Sequence, residues 1–319
     1  MFSPSLEDLD AAARLVYQVL SPTAQIRWPL LCAHTGAEVW VKHENHTEVG
    51  AFKLRGGLVY IHRLKQRDSS VRGVVAATRG NHGQSVAYAS ARAGLRAVIV
   101  VPLDNSREKN AAMRALGAEL IEHGEDFQAA YEYATCLAET ERLHLVRSFD
   151  ESLVFGVASY ALELFRGVSG LDAVYVPIGM GSGICGLIAA RNALGLSTEL
   201  IGVVAARAPA YALSFAAGRP ISAPVEPTIA DGMACRVPDP IALEMILNGA
   251  ARVLTVSDEE IEAAMRSLFS ETHNVAEGAG AAALAGLLQE GRRMEGKRVA
   301  LILSGGNVDR DVFARVLAG

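Results

Sequence analysis

The chain has 319 residues, long enough for a well-buried core and, by length alone, about two domains. Hydrophobic residues make up 50% and charged residues 20%, a globular composition that excludes a disordered chain. The net charge of -5 comes from acids and bases mixed along the chain, so there is no basic stripe for nucleic acid, and no apolar run is long enough to cross a bilayer. The N-terminus has neither a positive segment nor an apolar one of the kind a secretory signal needs, and a cytoplasmic location is expected. Cys32, Cys136, Cys185 and Cys235 are scattered without a CxxC pair, which predicts no zinc site, no disulfide framework and a buried structural role for each.

The first helix is predicted from Ser5, a capping residue, through Leu9, Ala13, Val16 and Leu20, with Ser21-Pro22 stopping it. Residues 38–43 alternate as a strand, and a helix follows over about 52–64. A β/α rhythm then sets in. Strands are predicted at 74–77, 97–101 and 119–122, with helices after the first two, and a further helix and strand lead to Val146. The rhythm repeats as helix 151–166, strand 173–178, helix 183–194 and strand 200–205. Residues 205–248 hold six prolines and read as an elaborated loop. Strand 252–256, helices 258–270 and 279–290, and strand 298–303 close the pattern. Strands alternating with helices predict an α/β fold of two open, mainly parallel twisted sheets with helices on both faces.

Such sheets bind ligands at the carboxyl ends of their strands, and four segments with chemical potential stand there or beside a helix start. Lys53, in Gly50-Ala51-Phe52-Lys53-Leu54-Arg55-Gly56-Gly57, opens a helix, where the dipole disfavours a cation. Burial and the positive helix end would lower its pKa and make it a better amine for condensation with an aldehyde, although alone it reads as a surface lysine. Thr78-Arg79-Gly80-Asn81-His82-Gly83-Gln84 offers donors at a helix N-terminus, suited to a carboxylate, or simply caps a turn. Gly179-Met180-Gly181-Ser182-Gly183-Ile184-Cys185-Gly186 can cradle a phosphate on bare N–H groups. Its GxGxxG spacing matches a dinucleotide fingerprint, but the next strand runs into Ala205-Ala206 with no acid for a ribose, so a single monophosphate fits better. Ser304, after the last strand, can offer a hydroxyl at the mouth of the sheet.

Together these segments resemble the serine/threonine dehydratases and serine racemases, fold type II pyridoxal 5'-phosphate enzymes of the tryptophan-synthase-β fold, over nearly the whole chain. Residues 109–120 and 228–240, with the phosphate loop, look most like the dehydratases linked to hydroxyectoine breakdown. The resemblance implies that Lys53 holds the aldehyde of pyridoxal 5'-phosphate and moves the Cα proton, and that Phe52 packs beside the ring. It implies that Asn81 bonds the ring 3'-oxygen, that Gly179, Met180, Gly181, Ser182 and Gly183 bind the phosphate, and that Ser304 bonds the ring nitrogen. Thr78, Arg79, Gly80, Asn81 and His82 are implied to receive the substrate, and Gly232 and Glu277 to line the cofactor site. The implied reaction is that of an ammonia-lyase. A small β-hydroxy amino acid loses water and then ammonia to give a 2-keto acid; the candidates are serine or threonine, 3-hydroxyaspartate or a hydroxyectoine breakdown product.

Departures from the family pattern refine this. Ala51 stands for a serine, and Met180 and Ser182 stand for glycines. Arg79 stands where racemases of the family keep an acid/base serine, which places racemase activity in doubt, since arginine holds its proton too tightly. Val204 and Ala210 stand where some relatives place metal-binding carboxylates, so no metal is expected. The sequence runs only a short way past Ser304, so no C-terminal regulatory domain is expected. A large unit of residues 1–69 and 148–319, a smaller inserted unit of 70–147 and a homodimer are expected. The alternatives are a β-replacement synthase, against which His82 speaks, and a non-catalytic amino-acid binder, against which Lys53 speaks.

Overall fold

The computed structural model describes residues 2–319. Helix α1 (Leu6–Val16) opens on a capping box in which the Ser5 hydroxyl accepts from the Asp8 N–H and the Asp8 carboxylate accepts from Ser5 in return. It ends at Val16, ahead of the expected stop at Ser21-Pro22. Its buried face of Leu9, Ala12, Ala13 and Val16 ends there, and the chain leaves through tight turns such as Val19 N–H to Val16 O, 3.0 Å.

Two sheets organise the rest. The larger has the order β1 (Gln25–Arg27), β2 (Glu38–His43), β10 (Arg298–Leu303), β7 (Ala173–Pro177), β8 (Glu199–Ala205), β9 (Arg252–Val256). Every neighbouring pair in it is parallel except β1–β2. The smaller has the order β5 (Glu119–Glu122), β4 (Arg96–Val101), β3 (Gly73–Ala77), β6 (His144–Leu145) and is parallel throughout. Pairing of β2 with β10, from Glu38 opposite Arg298 to His43 opposite Leu303, joins the two ends of the chain.

The side-chain period of two explains the layers. In β3, Val74 and Ala76 face one core with α4 (Asn81–Arg92) and α3 (Lys53–Arg67), while Val75 and Ala77 face α6 (Phe127–Thr140). In the larger sheet, Val174, Val176, Ala300 and Ile302 pack against α7 (Glu151–Gly167) and α8 (Ser182–Ala193); Tyr175, Val299 and Leu301 pack against α11 (Asp258–Thr272) and α12 (Gly278–Glu290). Strands buried on both faces carry near-continuous apolar runs, and this is why they are the most legible elements.

Residues 205–248 are more regular than expected. They hold α9 (Ala210–Ala217), a 3-10 turn (Asp231–Met233) and α10 (Pro240–Gly249). The prolines punctuate these helices instead of excluding them: Pro209 precedes α9, and Pro240 is the first residue of α10 behind its cap Asp239. The expectation of uniformly buried cysteines also needs correction. Cys185 and Cys235 are buried, but Cys32 is half-buried and Cys136 is exposed. Val204 and Ala210, at the end of β8 and the start of α9, are buried apolar residues.

Candidate active site

Two neighbouring strands of the larger sheet, β7 and β10, end side by side where the strand order changes direction. From the carboxyl end of β7 runs the glycine-rich turn, and from that of β10 runs Ser304. Opposite them, β3 of the smaller sheet ends in the turn of Thr78–Asn81. Between these ends lies a cavity of about 900 Å³, including its open mouth. Every candidate residue named from the sequence lines it: Phe52, Lys53, Thr78 to His82, Gly179 to Gly183, Gly232, Glu277 and Ser304.

Lys53 is the first residue of α3. Its Nζ lies 5.0 Å from the centroid of the Phe52 ring, which packs edge-on against Tyr160. Burial brings the ammonium's pKa from 10.5 down to about 8, with Glu277 opposing the shift. The helix start is held by two backbone bonds and one from a side chain. The Phe52 N–H donates to Ser304 O (3.0 Å), the Gly306 N–H to Gly50 O (2.9 Å), and the Ser85 hydroxyl to Lys53 O (2.6 Å).

Helix α8 begins at Ser182 behind Gly181, and no side chain caps it. Its first N–H groups therefore have no partner within the helix and open into the cavity, an arrangement that accepts a phosphate. Gly181 sits at φ 104, and a Cβ there would come within 2.7 Å of Ala242 Cβ. A Cβ on Gly179 would collide with the Gly232 carbonyl oxygen. The Tyr211 hydroxyl donates to Met180 O (2.9 Å) and that of Tyr160 to Gly183 O (3.0 Å), fixing the loop from behind.

In the opposing turn, Thr78 Oγ1 accepts from the N–H groups of Gly80 (3.0 Å) and Gly83 (3.3 Å), so its oxygen shapes the turn. Asn81 donates through Nδ2 to Glu277 Oε1 (2.5 Å), and its Oδ1 accepts from Asn307 (2.9 Å). His82 is buried, its Nε2 has no hydrogen-bond partner among the described residues, and burial followed by the charge of Lys53 lowers its pKa to about 3. It is a neutral imidazole at neutral pH. Arg79 lines the cavity, and among the described residues no carboxylate lies within ion-pair distance of it.

Sequence reasoning missed several residues. Lys109 on α5 (Arg107–Ala115) and Asp231 also line the cavity, with Phe127 and Ser148. Lys109 Nζ lies 2.8 Å from Asp231 and 3.2 Å from Glu277. Lys109 and Asp231 lie in the segments 109–120 and 228–240 that carry the resemblance, but nothing in the sequence marks either residue within them, and only their spatial neighbours reveal them.

The residues fit a phosphorylated aldehyde cofactor: a desolvated amine, an uncapped helix start, a hydroxyl at Ser304 and an unpartnered imidazole face one cavity. Residues 16–305 match the family described as pyridoxal-phosphate dependent enzyme. The chain is 34% identical over 314 residues to the L-threonine ammonia-lyase of Thermotoga maritima, covering 98% of this chain and 78% of that one. It is 30% identical over 320 residues to the L-threo-3-hydroxyaspartate ammonia-lyase of Saccharomyces cerevisiae, covering 100% and 98%. It is 32% identical to the biosynthetic L-threonine dehydratase of Salmonella typhimurium over 92% of its own length, and spans 58% of that protein. Among solved structures, the processed form of threonine deaminase isoform 2 from Solanum lycopersicum superposes with a TM-score of 0.90 at 28% identity, covering 99% of this chain and 95% of that one.

Proposed function

The chain belongs to the family of pyridoxal-phosphate dependent enzymes, and from that premise we propose that it is a dehydratase that releases a 2-keto acid and ammonia from a hydroxy amino acid. The observation that carries this reading is the meeting of Lys53, the uncapped start of α8 and Ser304 in one cavity. Bound there, pyridoxal 5'-phosphate supplies an aldehyde for an amine and a ring that draws electrons from the substrate Cα.

The chain's own residues then have distinct tasks. The N–H groups from Gly179 to Gly183 would hold the phosphate, Asn81 the 3'-oxygen and Ser304 the ring nitrogen. The turn of Thr78, Arg79, Gly80 and His82 receives the substrate carboxylate. Lys53, once its amine is free, takes the Cα proton, and its lowered pKa keeps a useful fraction unprotonated near neutral pH. Ser304, a neutral hydroxyl in place of a carboxylate, would bond the ring nitrogen without placing a negative charge beside it. Phe52, Gly232 and Glu277 close the cavity around the ring.

The finer reading concerns the substrate's β-substituent. Arg79 lines the cavity without a carboxylate partner of its own, which supports a substrate larger or more polar than serine, such as 3-hydroxyaspartate or a hydroxyectoine breakdown product. The reading extends to two units, residues 1–69 with 148–319 and residues 70–147, that close on the ligand. It is supported by a smaller sheet drawn wholly from strands between Gly73 and Leu145. It also extends to a cytoplasmic homodimer, which light scattering and fractionation would check.

The direct test has two parts. Borohydride reduction of the cofactor-loaded protein followed by peptide mapping should tag Lys53; a tag on Lys42 instead would overturn the assignment. Keto-acid release should then be assayed across serine, threonine and 3-hydroxyaspartate, and no release from any of them would refute the reaction.

A further inference from the structure

Lys109 sits on α5, which packs beside α4 and β5 of the smaller sheet's layer, yet its ammonium ends among acids carried by the other layer. It donates to both oxygens of Asp231 at 3.1 and 2.8 Å, and reaches Glu277 Oε2 at 3.2 Å, close enough for an ion pair though without hydrogen-bond alignment. Its hydrocarbon stem lies over Gly80, where an added Cβ would strike Lys109 Cδ. Both Lys109 and Glu277 are buried. Glu277 in turn holds the Asn81 amide.

We propose that Lys109 is a positioning residue: reaching across the cleft to Asp231 and Glu277, it keeps Glu277 an ionised acceptor that fixes the amide of Asn81 at the cavity wall. This rests on the reading that the cofactor binds in this cavity, and it adds to that reading a charge relay that runs from one layer to the other.

The groups facing Glu277 are few. They are Lys109 from α5, Asp231 from the 3-10 turn, Asn81 from α4 and, across the cavity, Lys53. Burial, reinforced by Asp231, holds the Glu277 carboxyl above the usual carboxylate range, and the Lys109 charge offsets part of that rise. Burial likewise works against the charge on Lys109, but Glu277 and Asp231 outweigh it and hold the ammonium well above the usual lysine range. Without Lys109, nothing but the Asn81 amide and the more distant Lys53 would favour a carboxylate at Glu277. Its carboxyl would then rise further, and the Asn81 amide would face a protonated acceptor over a wider pH range.

The test uses Lys109→Met, which keeps the stem over Gly80, and Lys109→Arg, which keeps the charge. Infrared spectra across pH report a protonated-carboxyl band, assigned to Glu277 by its absence in Glu277→Gln, with and without pyridoxal 5'-phosphate. In Lys109→Met the band should titrate about 1–3 pH units higher than in the parent. Cofactor affinity should fall on the acid side and recover as pH rises, and Lys109→Arg should restore the parent profile. An unmoved band, or Lys109→Arg behaving like Lys109→Met, would reduce Lys109 to a steric wall and overturn the proposal. If Lys109→Met does not fold, Lys109→Met with Glu277→Gln should fold, because the unpaired acid is gone; failure of both would also overturn it. The infrared band requires no cofactor, so a protein that bound none while its band shifted as expected would refute the functional reading and keep only the Lys109–Glu277–Asn81 linkage, whereas an unmoved band in a protein that binds the cofactor would refute the linkage alone.

Discussion

Two residues carry most of the chemistry that the cavity can express. Lys53 is pushed by burial from 10.5 to about 8, which raises its free-amine fraction near neutral pH by roughly two orders of magnitude. Capture of pyridoxal 5'-phosphate by the cofactor-free protein, followed by visible absorbance, should therefore rise about tenfold per pH unit up to pH 8 and level off above it. A rise that continued toward pH 10 would mean that the amine is not desolvated. Under the proposed function, Arg79 is the residue that would read the substrate's β-substituent. In the family pattern its position is the one most telling departure, and the residue lines the cavity with no carboxylate within ion-pair distance among the described residues. Arg79→Ala, compared on L-serine and L-threo-3-hydroxyaspartate, should swing specificity toward serine by about 1.5–3 kcal/mol, the range for a lost charge-assisted hydrogen bond. Equal losses on both substrates would show that Arg79 supports the turn and reads nothing.

At the scale of elements, the start of α8 shows how a sequence signal becomes a binding device. Gly181 is needed twice, for φ 104 and for the approach of Ala242, whereas a Cβ on Gly183 would meet nothing nearer than the Tyr160 hydroxyl at 3.6 Å. Gly181→Ala should cost about 1–3 kcal/mol in urea unfolding and weaken cofactor binding, while Gly183→Ala should leave unfolding stability intact. Equal stability of the two variants would argue that the loop is not rigid. This contrast also marks what was legible in advance. Strands buried on both faces, such as β10, and the glycine turn after β7 announce themselves through composition and position. The three-residue β1 has too few residues to show a period, and the short helices α2 (Pro29–Thr35) and α13 (Arg310–Ala318) each bury a single residue, Leu31 and Val316, too few to mark an apolar face. Proline was read as a mark of loop in residues 205–248, whereas Pro209 and Pro240 stand at helix starts, where a missing N–H costs nothing. The pairs Lys109–Glu277 and Asn81–Asn307 were illegible for a different reason: they join residues far apart in sequence, and only the folded chain brings them together.

The whole molecule is held behind the site by a buried network of charge. Arg55, two residues beyond Lys53 and fully buried, donates to Glu44 (2.7 and 3.0 Å), to Glu163 (2.6 and 3.0 Å) and to Ser159 (2.9 Å). Lys42 joins it through Glu163 at 2.5 Å, and the Thr23 hydroxyl through Glu44. Two cations and two anions thus tie the chain before β2, the end of β2, the first turn of α3 and the middle of α7 into one unit. Neither cation in that turn of α3 has an acid beside it on the helix, so the compensating charge comes from elsewhere in the fold. Such a network adds little over apolar packing when intact, but removing one member strands a buried charge. Arg55→Leu should therefore cost about 3–5 kcal/mol, read as a lower urea midpoint with an unchanged slope. Its pH dependence follows from Glu163. Burial raises that carboxyl's pKa, but Arg55 and Lys42 outweigh burial and hold it below 4.5, so its contribution is present above that value and lost as pH falls through the folded pKa. With Arg55 gone the depression shrinks, and the acid-side loss of stability should begin at a higher pH than in the parent. An Arg55→Leu protein with the parent's midpoint between pH 5 and 7 would mean that the network selects the arrangement of α3 without stabilising it. In that case cofactor capture by Lys53, and not unfolding, is where the substitution should register.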